Sequence, residues 1–282
     1  MFQHVVIVGC GLIGCSFALA LRRAGFDGRI TGWGGGESVE EAIQRGIISE
    51  RERSFDEGHS CPADFIYLAA PVLAIVEFLQ TKSGLLKPGS FITDAGSTKV
   101  EICRTARRCL PSGIDFLGGH PMAGSEKSGA EHAHADLFEG AAYILTPDDR
   151  TPSERLAQME LLIREIGARP IRMTAEEHDR TIAYISHLPQ YLSTALAATI
   201  ERHPDARQWL SLAGEGFRDM TRLAASRFRL WRDITLTNRE NILQALDEYI
   251  RDLSTLRQAV ATEDLEAVEE SFQRANRLSP TD

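Results

Sequence analysis

A glycine-rich turn near the amino terminus constrains the fold of this chain more than any other feature. The predicted buried strand His4–Val8 is followed by Gly9-Cys-Gly-Leu-Ile-Gly14 and then by a helix-forming run. Between a strand and a helix, the first glycine of this pattern makes a tight turn, the second lets the backbone approach a pyrophosphate, and the third allows the helix to pack closely on the strand. We therefore predict a dinucleotide site whose contacts are Gly9, Gly11, Leu12, Ile13 and Gly14.

The ribose end of this dinucleotide site is less regular. An acidic residue that holds the ribose hydroxyls is expected about 20 residues further on. At that point, after the predicted strand Arg29–Trp33, the chain has the glycine run Gly34–Gly36 and then Glu37, with no arginine nearby in the sequence to pair with a 2′-phosphate. Either Glu37 reaches the ribose from further along, or the glycines leave room for a phosphate. We expect Gly34 and Glu37 to contact the nucleotide and favour NAD over NADP.

Charge and cysteine content exclude several classes of protein. The 282 residues include 31 basic and 40 acidic side chains, a net charge of −9 that argues against binding to nucleic acids or to anionic membranes. The uncharged segment Val5–Leu21 is shorter than the ~20 residues that span a bilayer. The five cysteines are odd in number and lack CxxC spacing, so neither a disulfide framework nor a zinc site is expected. We predict a cytoplasmic protein without a metal; the histidines within Glu131–Asp136 are interpreted as part of a solvated loop.

The glycines divide the chain into two parts. Of the 23 glycines, 21 precede residue 173. Apolar strands alternate with helices in this first part, which predicts an α/β, Rossmann-type, doubly wound domain over residues 1–173 with a parallel sheet covered on both faces. The expected strands are Val5–Val8, Arg29–Trp33, Phe65–Ala69, Phe91–Asp94, Asp115–Gly118, Ala142–Thr146 and Pro170–Met173.

The second part, residues 174–282, is predicted to be an all-α domain. It opens with Thr174-Ala-Glu-Glu177, a capping box that starts a helix. Further on, apolar residues recur at three-and-four spacing, and this stripe is wide for one small domain. Core packing and a helical interface of a homodimer both explain it. The stripe consists of Ile242, Leu243, Leu246, Tyr249, Ile250, Leu253, Leu256 and Val260.

Two loops at the carboxyl ends of predicted strands carry candidate catalytic groups, since doubly wound sheets bind ligands there. The first is Asp94–Lys99, and the second is Gly118–Glu126, which contains His120. Histidine exchanges protons near neutral pH, so His120 is a candidate general base rather than only a structural histidine. The remaining histidines outside the helical motif described next are interpreted as ordinary.

The helical part contains a polar stripe and an arginine-rich segment. His187 and Gln190 lie with Tyr191 on one face of a helix that Pro189 interrupts, and either a ligand, the other domain or an interhelical hydrogen-bond cluster explains this stripe. Arg222 can clamp a carboxylate in a bidentate manner. Asp219, three residues earlier, either orients Arg222 or forms a surface ion pair with it.

Taken together, these stretches resemble the prephenate/arogenate dehydrogenase family of tyrosine biosynthesis. The resemblance runs over nearly the whole chain, through VVIVGCGLIG, DAGSTK, GGHPMAGSE, SHLPQ, GFRDMTRLA and LWRDI. It implies a Rossmann domain followed by a helical domain that forms a homodimer. It also implies an active site in the cleft and oxidative decarboxylation of a small-molecule substrate, prephenate or arogenate, with NAD or NADP as the electron acceptor.

The resemblance also implies roles for individual residues. On the Rossmann side, His120 matches the histidine that binds the ring hydroxyl, Ser97 matches the serine beside it, and Glu126 matches an acidic residue at the mouth of the site. On the helical side, His187 and Gln190 match polar residues that face the substrate.

Arg222 matches the arginine that binds a substrate carboxylate. We expect His120 to accept the proton of the C4 hydroxyl while hydride leaves C4.

Alternatives remain open on the residues alone. Glu126 could pair with the ammonium of arogenate, so arogenate or dual use is an alternative to prephenate. A β-hydroxyacid dehydrogenase or imino-acid reductase shares the two-domain plan, but a lysine is more natural in its helical domain, and this helical part has none. A non-catalytic dinucleotide sensor has no need to align His120, Ser97 and Arg222.

Overall fold

The structure, a computed structural model, describes residues 2–124 and 129–278. Its first part is one sheet of eight strands flanked by helices. The strands are β1 (His4–Val8), β2 (Arg29–Trp33), β3 (Glu50–Arg51), β4 (Phe65–Leu68), β5 (Phe91–Asp94), β6 (Asp115–Pro121), β7 (Ala142–Thr146) and β8 (Arg169–Arg172). The accompanying helices are α1 (Leu12–Arg23), α2 (Gly36–Gln44), α3 (Ser54–Glu57), α4 (Val72–Lys82), α5 (Val100–Cys109) and α6 (Ser153–Glu165).

The strand order is β3-β2-β1-β4-β5-β6-β7-β8, and β1 pairs in parallel with both β2 and β4. The order of connection therefore reverses beside β1, which is the switch point where sheets of this type bind ligands. The predicted doubly wound Rossmann-type domain is confirmed, with one difference: β7 and β8 are parallel to each other, whereas β7 is antiparallel to β6. A parallel return needs a crossover, usually a helix. The described residues between β6 and β7 contain only the single 3-10 turn Ala130–His132.

The strands are apolar throughout because both faces of the sheet are covered. All five residues of β1 are buried. Its alternate side chains enter different clusters: Val5 and Ile7 pack with Phe17 and Tyr67 on one face, whereas Val6 and Val8 pack with residues of α4 on the other. Packing on both faces therefore holds β1, and with it the start of the turn that follows, in place within the sheet.

The second part is helical. It contains α7 (Ala175–Ile182), α8 (Leu188–Glu201), α9 (Ala206–Ser211), α10 (Glu215–Thr221), α11 (Phe228–Thr237), α12 (Arg239–Ala261) and α13 (Leu265–Asn276). The capping box is present: the Glu177 backbone N–H donates to Thr174 Oγ1 at 3.1 Å, and the Thr174 N–H donates to the Glu177 carboxylate at 2.9 Å. A π-helical turn, Ala183–His187, joins α7 to α8 and precedes Pro189. None of the helices within the described ranges is long and apolar enough to cross a bilayer.

Two buried carboxylates of the helical part join it to the Rossmann part. Asp233 accepts a hydrogen bond from the backbone N–H of Leu73 at 3.1 Å, in the first turn of α4. Asp179 accepts the backbone N–H groups of Lys99 at 2.7 Å and Val100 at 3.0 Å, at the start of α5. Neither helix is capped by its own N-cap side chain. Because the amino end of a helix is electropositive and has unpaired N–H groups, each carboxylate supplies a missing cap from the other part of the chain.

Candidate active site

The glycine-rich turn after β1 has the geometry of a phosphate cradle. Gly9 has φ +94°, and a Cβ at this position would lie 2.5 Å from the Ala69 carbonyl oxygen. A Cβ on Gly14 would lie 2.2 Å from the Gly9 carbonyl oxygen, whereas a Cβ on Gly11 would meet no protein atom within 4 Å. The first and third glycines are therefore required by the fold. The second keeps open a space in front of α1.

The amino end of α1 faces that space without a cap. Gly11 is its N-cap residue, and it has no side chain with which to cap the helix. The unpaired N–H groups of its first turn, which includes Leu12 and Ile13, together with the helix dipole favour an anion here. The residues thus fit the pyrophosphate of a dinucleotide, as predicted for this stretch.

The ribose end differs from the sequence-based prediction. Gly34, with φ +143°, approaches the cradle, since a Cβ there would lie 3.5 Å from Gly9 N. Glu37 is exposed in the first turn of α2. The expectation of no nearby arginine is wrong: Arg51 donates to the carbonyl oxygens of Gly34 at 3.5 Å and Gly36 at 3.3 Å, and also lies 3.4 Å from Glu40. The position of Arg51 beside the glycine run could not be predicted from the sequence, because β3, which carries Arg51, has only two residues.

His120 lies within β6, not in a loop after it. The predicted strand ended at Gly118, but β6 continues to Pro121 because its second half pairs with β7, placing His120 opposite Ile144. Since β1, β4, β5 and β6 are parallel, the carboxyl end of β6 lies at the same edge of the sheet as the glycine cradle. The half-buried His120 ring therefore stands on the ligand-binding edge.

A buried ion pair holds the two loops at this edge together. Lys99 is fully buried, and its Nζ contacts the Asp94 carboxylate and donates to the Gly119 carbonyl oxygen at 2.7 Å. Asp94 also accepts the Gly119 backbone N–H at 3.1 Å. Gly119 must be small, because a Cβ would lie 2.6 Å from the Asp94 carbonyl oxygen. The ion pair therefore fixes the backbone immediately before His120.

The buried face of α7 supplies the contact partner of His120. The Nδ1 atom of His120 lies 2.8 Å from Nε2 of His178, and Nδ1 of His178 lies 2.7 Å from the Asp179 carboxylate. Interpreting His178 as an ordinary histidine was therefore wrong. One signal could have identified it: Ala175, His178, Asp179 and Ile182 share the i, i+3, i+4, i+7 inward face of a helix, and two of the four are polar.

His187 is buried in the π-helical turn next to α11 and α12. Its Nδ1 atom accepts a hydrogen bond from the Asn238 side-chain amide at 3.2 Å, and that amide also donates to the Asp179 carbonyl oxygen at 2.7 Å. The Trp231 ring stands perpendicular to His187 at 5.8 Å between ring centres. The buried Trp231 Nε1 has no partner among the described residues, so a donor is available here for a ligand.

Gln190, which we expect to face the substrate, has its side-chain amide hydrogen-bonded within the helical part. Its Nε2 donates to the Leu223 carbonyl oxygen at 2.9 Å, and its Oε1 accepts from the Ser226 hydroxyl at 3.1 Å. The polar stripe is thus largely an interhelical hydrogen-bond cluster. Gln190 fixes the 3-10 turn that begins at Arg222, whose side chain is exposed. Within the described ranges, Arg222 forms no ion pair with Asp219, so neither role suggested for Asp219 is realised.

Two further residues that the family resemblance assigns to the site are Ser97 and Glu126. Ser97 is half-buried in the loop between β5 and α5, and its hydroxyl has no hydrogen-bond partner in the described part of the chain. Glu126 lies outside the described residues.

Burial controls the charge of all three histidines. Desolvation, followed by the neighbouring His178, Lys99 and His187, holds the pKa of His120 well below its usual value. Burial likewise lowers the pKa of His178, and it lowers the pKa of His187 to about 4. At neutral pH each ring is therefore uncharged, so His120 is in the form that accepts a proton.

A dinucleotide cradle at the switch point of a Rossmann sheet, with a desolvated neutral histidine on the same edge, defines a dinucleotide-dependent dehydrogenase. Comparisons with known proteins narrow this class. Residues 17–172 match the family described as prephenate dehydrogenase, nucleotide-binding domain. Residues 174–274 match prephenate dehydrogenase, dimerization domain. The chain belongs to the prephenate dehydrogenase family.

Individual relatives agree. The chain is 38% identical to a prephenate dehydrogenase of Bacillus subtilis, over 98% of this chain and 75% of the relative. It is 33% identical to a cyclohexadienyl dehydrogenase of Zymomonas mobilis, over 98% of this chain and 95% of the relative. Among solved structures, prephenate dehydrogenase from Aquifex aeolicus in complex with hydroxyphenyl propionate and NAD+ matches with a TM-score of 0.91 and 35% identity, covering 98% of this chain and 96% of that one.

These findings decide between the classes left open by the sequence. The chain is an enzyme, an NAD-dependent oxidoreductase of the prephenate dehydrogenase type, and not a dinucleotide sensor.

Proposed function

We propose that this chain oxidises prephenate to 4-hydroxyphenylpyruvate and CO2, with NAD as electron acceptor and His120 as general base. The observation that carries the proposal is the position of His120: a neutral, desolvated imidazole on the sheet edge that also bears the glycine cradle. Its Nδ1 atom is tied inward to His178, so its Nε2 atom is the ring nitrogen left for a substrate. We also propose that the domain boundary lies between residues 173 and 174.

Substrate binding needs cations or donors for two carboxylates, one on the ring and one on the side chain. We assign one carboxylate to Arg222, whose guanidinium is exposed at the start of a turn held by Gln190. The Trp231 Nε1 atom and the Nε2 atom of His187 are further donors. His187 Nδ1 accepts from Asn238, so its Nε2 carries the hydrogen.

In the chemical step His120 Nε2 accepts the proton of the C4 hydroxyl as hydride leaves C4. When bound, NAD supplies the two-electron acceptor for that hydride. The bond between the ring and its carboxylate then breaks, CO2 departs, and the electron pair moves through the ring to the C4 oxygen. His120 returns the proton to this oxygen, so the base is regenerated and no net proton is consumed.

Burial and the fixed backbone of β6 both bear on how His120 works. A base with a lowered pKa is neutral before the reaction, and the bound proton is held only until the phenol forms. Lys99 and Asp94 fix the backbone of β6 beneath the ring. Positioned general-base catalysis of this kind contributes about 10²–10⁴-fold to rate.

A cofactor-reduction assay tests the proposal. Purified enzyme is mixed with prephenate or arogenate, each with NAD or NADP, and the absorbance of reduced cofactor is followed. We expect the highest kcat/KM for prephenate with NAD. No turnover of prephenate with either nucleotide would contradict the proposal, and higher kcat/KM for arogenate would support the alternative substrate. Because Glu126 could pair with the arogenate ammonium, the variant Glu126→Gln is also assayed with arogenate.

We further propose that the enzyme is a homodimer through α12 and α13. Much of the apolar stripe of α12 is exposed in the single chain, including Leu243, Ile250, Leu253 and Val260, and Phe272 of α13 is 64% exposed. Apolar surface of this extent is typical of an interface. Light scattering is expected to give about twice the chain mass of 31.2 kDa. The double variant Ile250→Glu, Leu253→Glu is expected to give the monomer mass.

A further inference from the structure

Three side chains form a continuous hydrogen-bonded series from α7 to the proposed base. The Nδ1 atom of His120 lies 2.8 Å from Nε2 of His178, and Nδ1 of His178 lies 2.7 Å from Asp179 Oδ1. His178 and Asp179 are 0% and 1% exposed. Two polar side chains removed so completely from water need a reason beyond filling space, because burying them costs free energy unless every partner is in place.

The direction of each hydrogen bond follows from the partners of Asp179. Its two carboxylate oxygens accept the backbone N–H groups of Lys99 and Val100 at the electropositive end of α5, so the carboxylate acts as an acceptor. His178 Nδ1 must then donate to Asp179. A neutral imidazole has one N–H, so His178 Nε2 carries a lone pair and accepts from His120 Nδ1.

We infer that His178 and Asp179 are positioning residues that hold His120 in the tautomer with hydrogen on Nδ1 and a lone pair on Nε2. The inference rests on the proposed function, in which Nε2 takes the hydroxyl proton. It deepens that function by naming what makes the correct nitrogen basic. The opposite tautomer would present an N–H to the substrate hydroxyl and could not accept its proton.

The same series stabilises the ring after proton transfer. His120 then carries a positive charge whose Nδ1–H points at His178 and, beyond it, at the negative charge of Asp179. The charged groups that face this base are Lys99 and Asp94 from the Rossmann part and Asp179 from α7, with His178 and His187 as the titratable neighbours. Asp179 is the only carboxylate among them, within the described residues, that reaches His120 through a hydrogen-bonded ring.

The tautomer can be measured in the unmodified enzyme. Protein with 15N-labelled histidine is examined by NMR at neutral pH with NAD bound, and the His120 signals are assigned from their loss in His120→Asn. We expect Nδ1 of His120 to be protonated and Nε2 to be unprotonated. Protonation at Nε2 would overturn the inference whatever the kinetics of any variant.

Two variants of His178 separate positioning from packing. In His178→Asn the amide reaches the place of Nδ1 and can still donate to Asp179, but nothing reaches His120. In His178→Gln the longer side chain places its Oε1 near the position of Nε2, where it can accept from His120 Nδ1. We expect kcat to fall about 10²-fold in the Asn variant, with KM and the Kd for NAD unchanged. The Gln variant is expected to recover about tenfold of that loss.

Equal kcat values in the two variants, or a loss confined to KM or to Tm, would refute the positioning role. The outcome is distinguishable from failure of the proposed function. If His120→Asn retains full turnover, the base assignment itself fails. If His120→Asn loses turnover but the Asn and Gln variants of His178 behave alike, only the positioning role fails.

Discussion

The two halves of the active site are built from very different lengths of chain. The pyrophosphate cradle of the cofactor half is a single stretch, residues 8–14, in which each glycine has its own task. The acid–base half takes His120 from β6, Lys99 from the loop before α5, His178 and Asp179 from α7, and Asn238 from the start of α12. A phosphate needs only backbone N–H groups and a helix dipole. A base of defined tautomer needs side chains that approach from several directions.

The halves also differ in how they depend on the joint between the two parts of the chain. The cradle is complete within the Rossmann part. By contrast, Asp179 caps α5 and at the same time holds His178, so the contact that joins the parts also orients the proposed base. We therefore expect substitutions in the cradle to change cofactor affinity alone, and substitutions in the acid–base half to change turnover.

The largest effect is expected for His120→Asn. Removal of the base should lower kcat about 10²–10⁴-fold, while the Kd for NAD is unchanged because the cradle is intact. Stopped-flow kinetics measure kcat, and displacement of bound NADH by NAD, followed by NADH fluorescence, measures the Kd for NAD. The exposed histidine variant His59→Asn serves as a control and should behave as the unmodified enzyme. Near-full turnover of His120→Asn would contradict the assignment of His120 as the general base.

Arg222→Ala is expected to act on substrate binding. Loss of a charged hydrogen bond to a carboxylate costs about 1.5–3 kcal/mol, which is about 10- to 150-fold in KM. We expect kcat to change less and the Kd for NAD not at all. The exposed Arg207→Ala is the matched control. An unchanged KM in Arg222→Ala would mean that another cation binds the carboxylate.

Gly11→Ala tests the cofactor half and has the smallest expected effect. We expect the Kd for NAD to rise about tenfold or more. The new Cβ meets no protein atom, so Tm should hold, but it enters the space of the pyrophosphate. Gly214→Ala is a close control because Gly214 is also an N-cap in extended backbone, with φ −83° against −87° for Gly11, and also has open space. Equal NAD affinity in both variants would contradict the assignment of the pyrophosphate to the space in front of Gly11.

The features that could be predicted from the sequence are those that depend on residues close together in the chain. The strand–turn–helix at the amino terminus and the capping box at Thr174 were predictable because each depends on neighbours within a few residues. The family resemblance, confirmed by the comparisons, pointed to His120 and Arg222 as site residues.

What the sequence did not predict depends on pairing across long distances. The end of β6 was placed too early because its last residues are held by β7, an antiparallel strand. Arg51 was missed because a two-residue strand has no pattern. His178 was passed over although it lies on the inward face of α7, because that position does not identify its partner, 58 positions away in the chain. For Gln190, an interhelical hydrogen-bond cluster was one of the explanations considered, but its particular partners, Leu223 and Ser226, could not be identified from the sequence.

The most direct test of the role of His120 is a structure of the enzyme with NAD and 4-hydroxyphenylpyruvate bound. We expect the phenolic oxygen to lie within about 2.6–3.2 Å of His120 Nε2, with Arg222 of the same or the partner subunit on a carboxylate of the ligand. A phenolic oxygen remote from His120, or an Arg222 side chain that opens onto a separate surface in both the single subunit and the dimer, would contradict it.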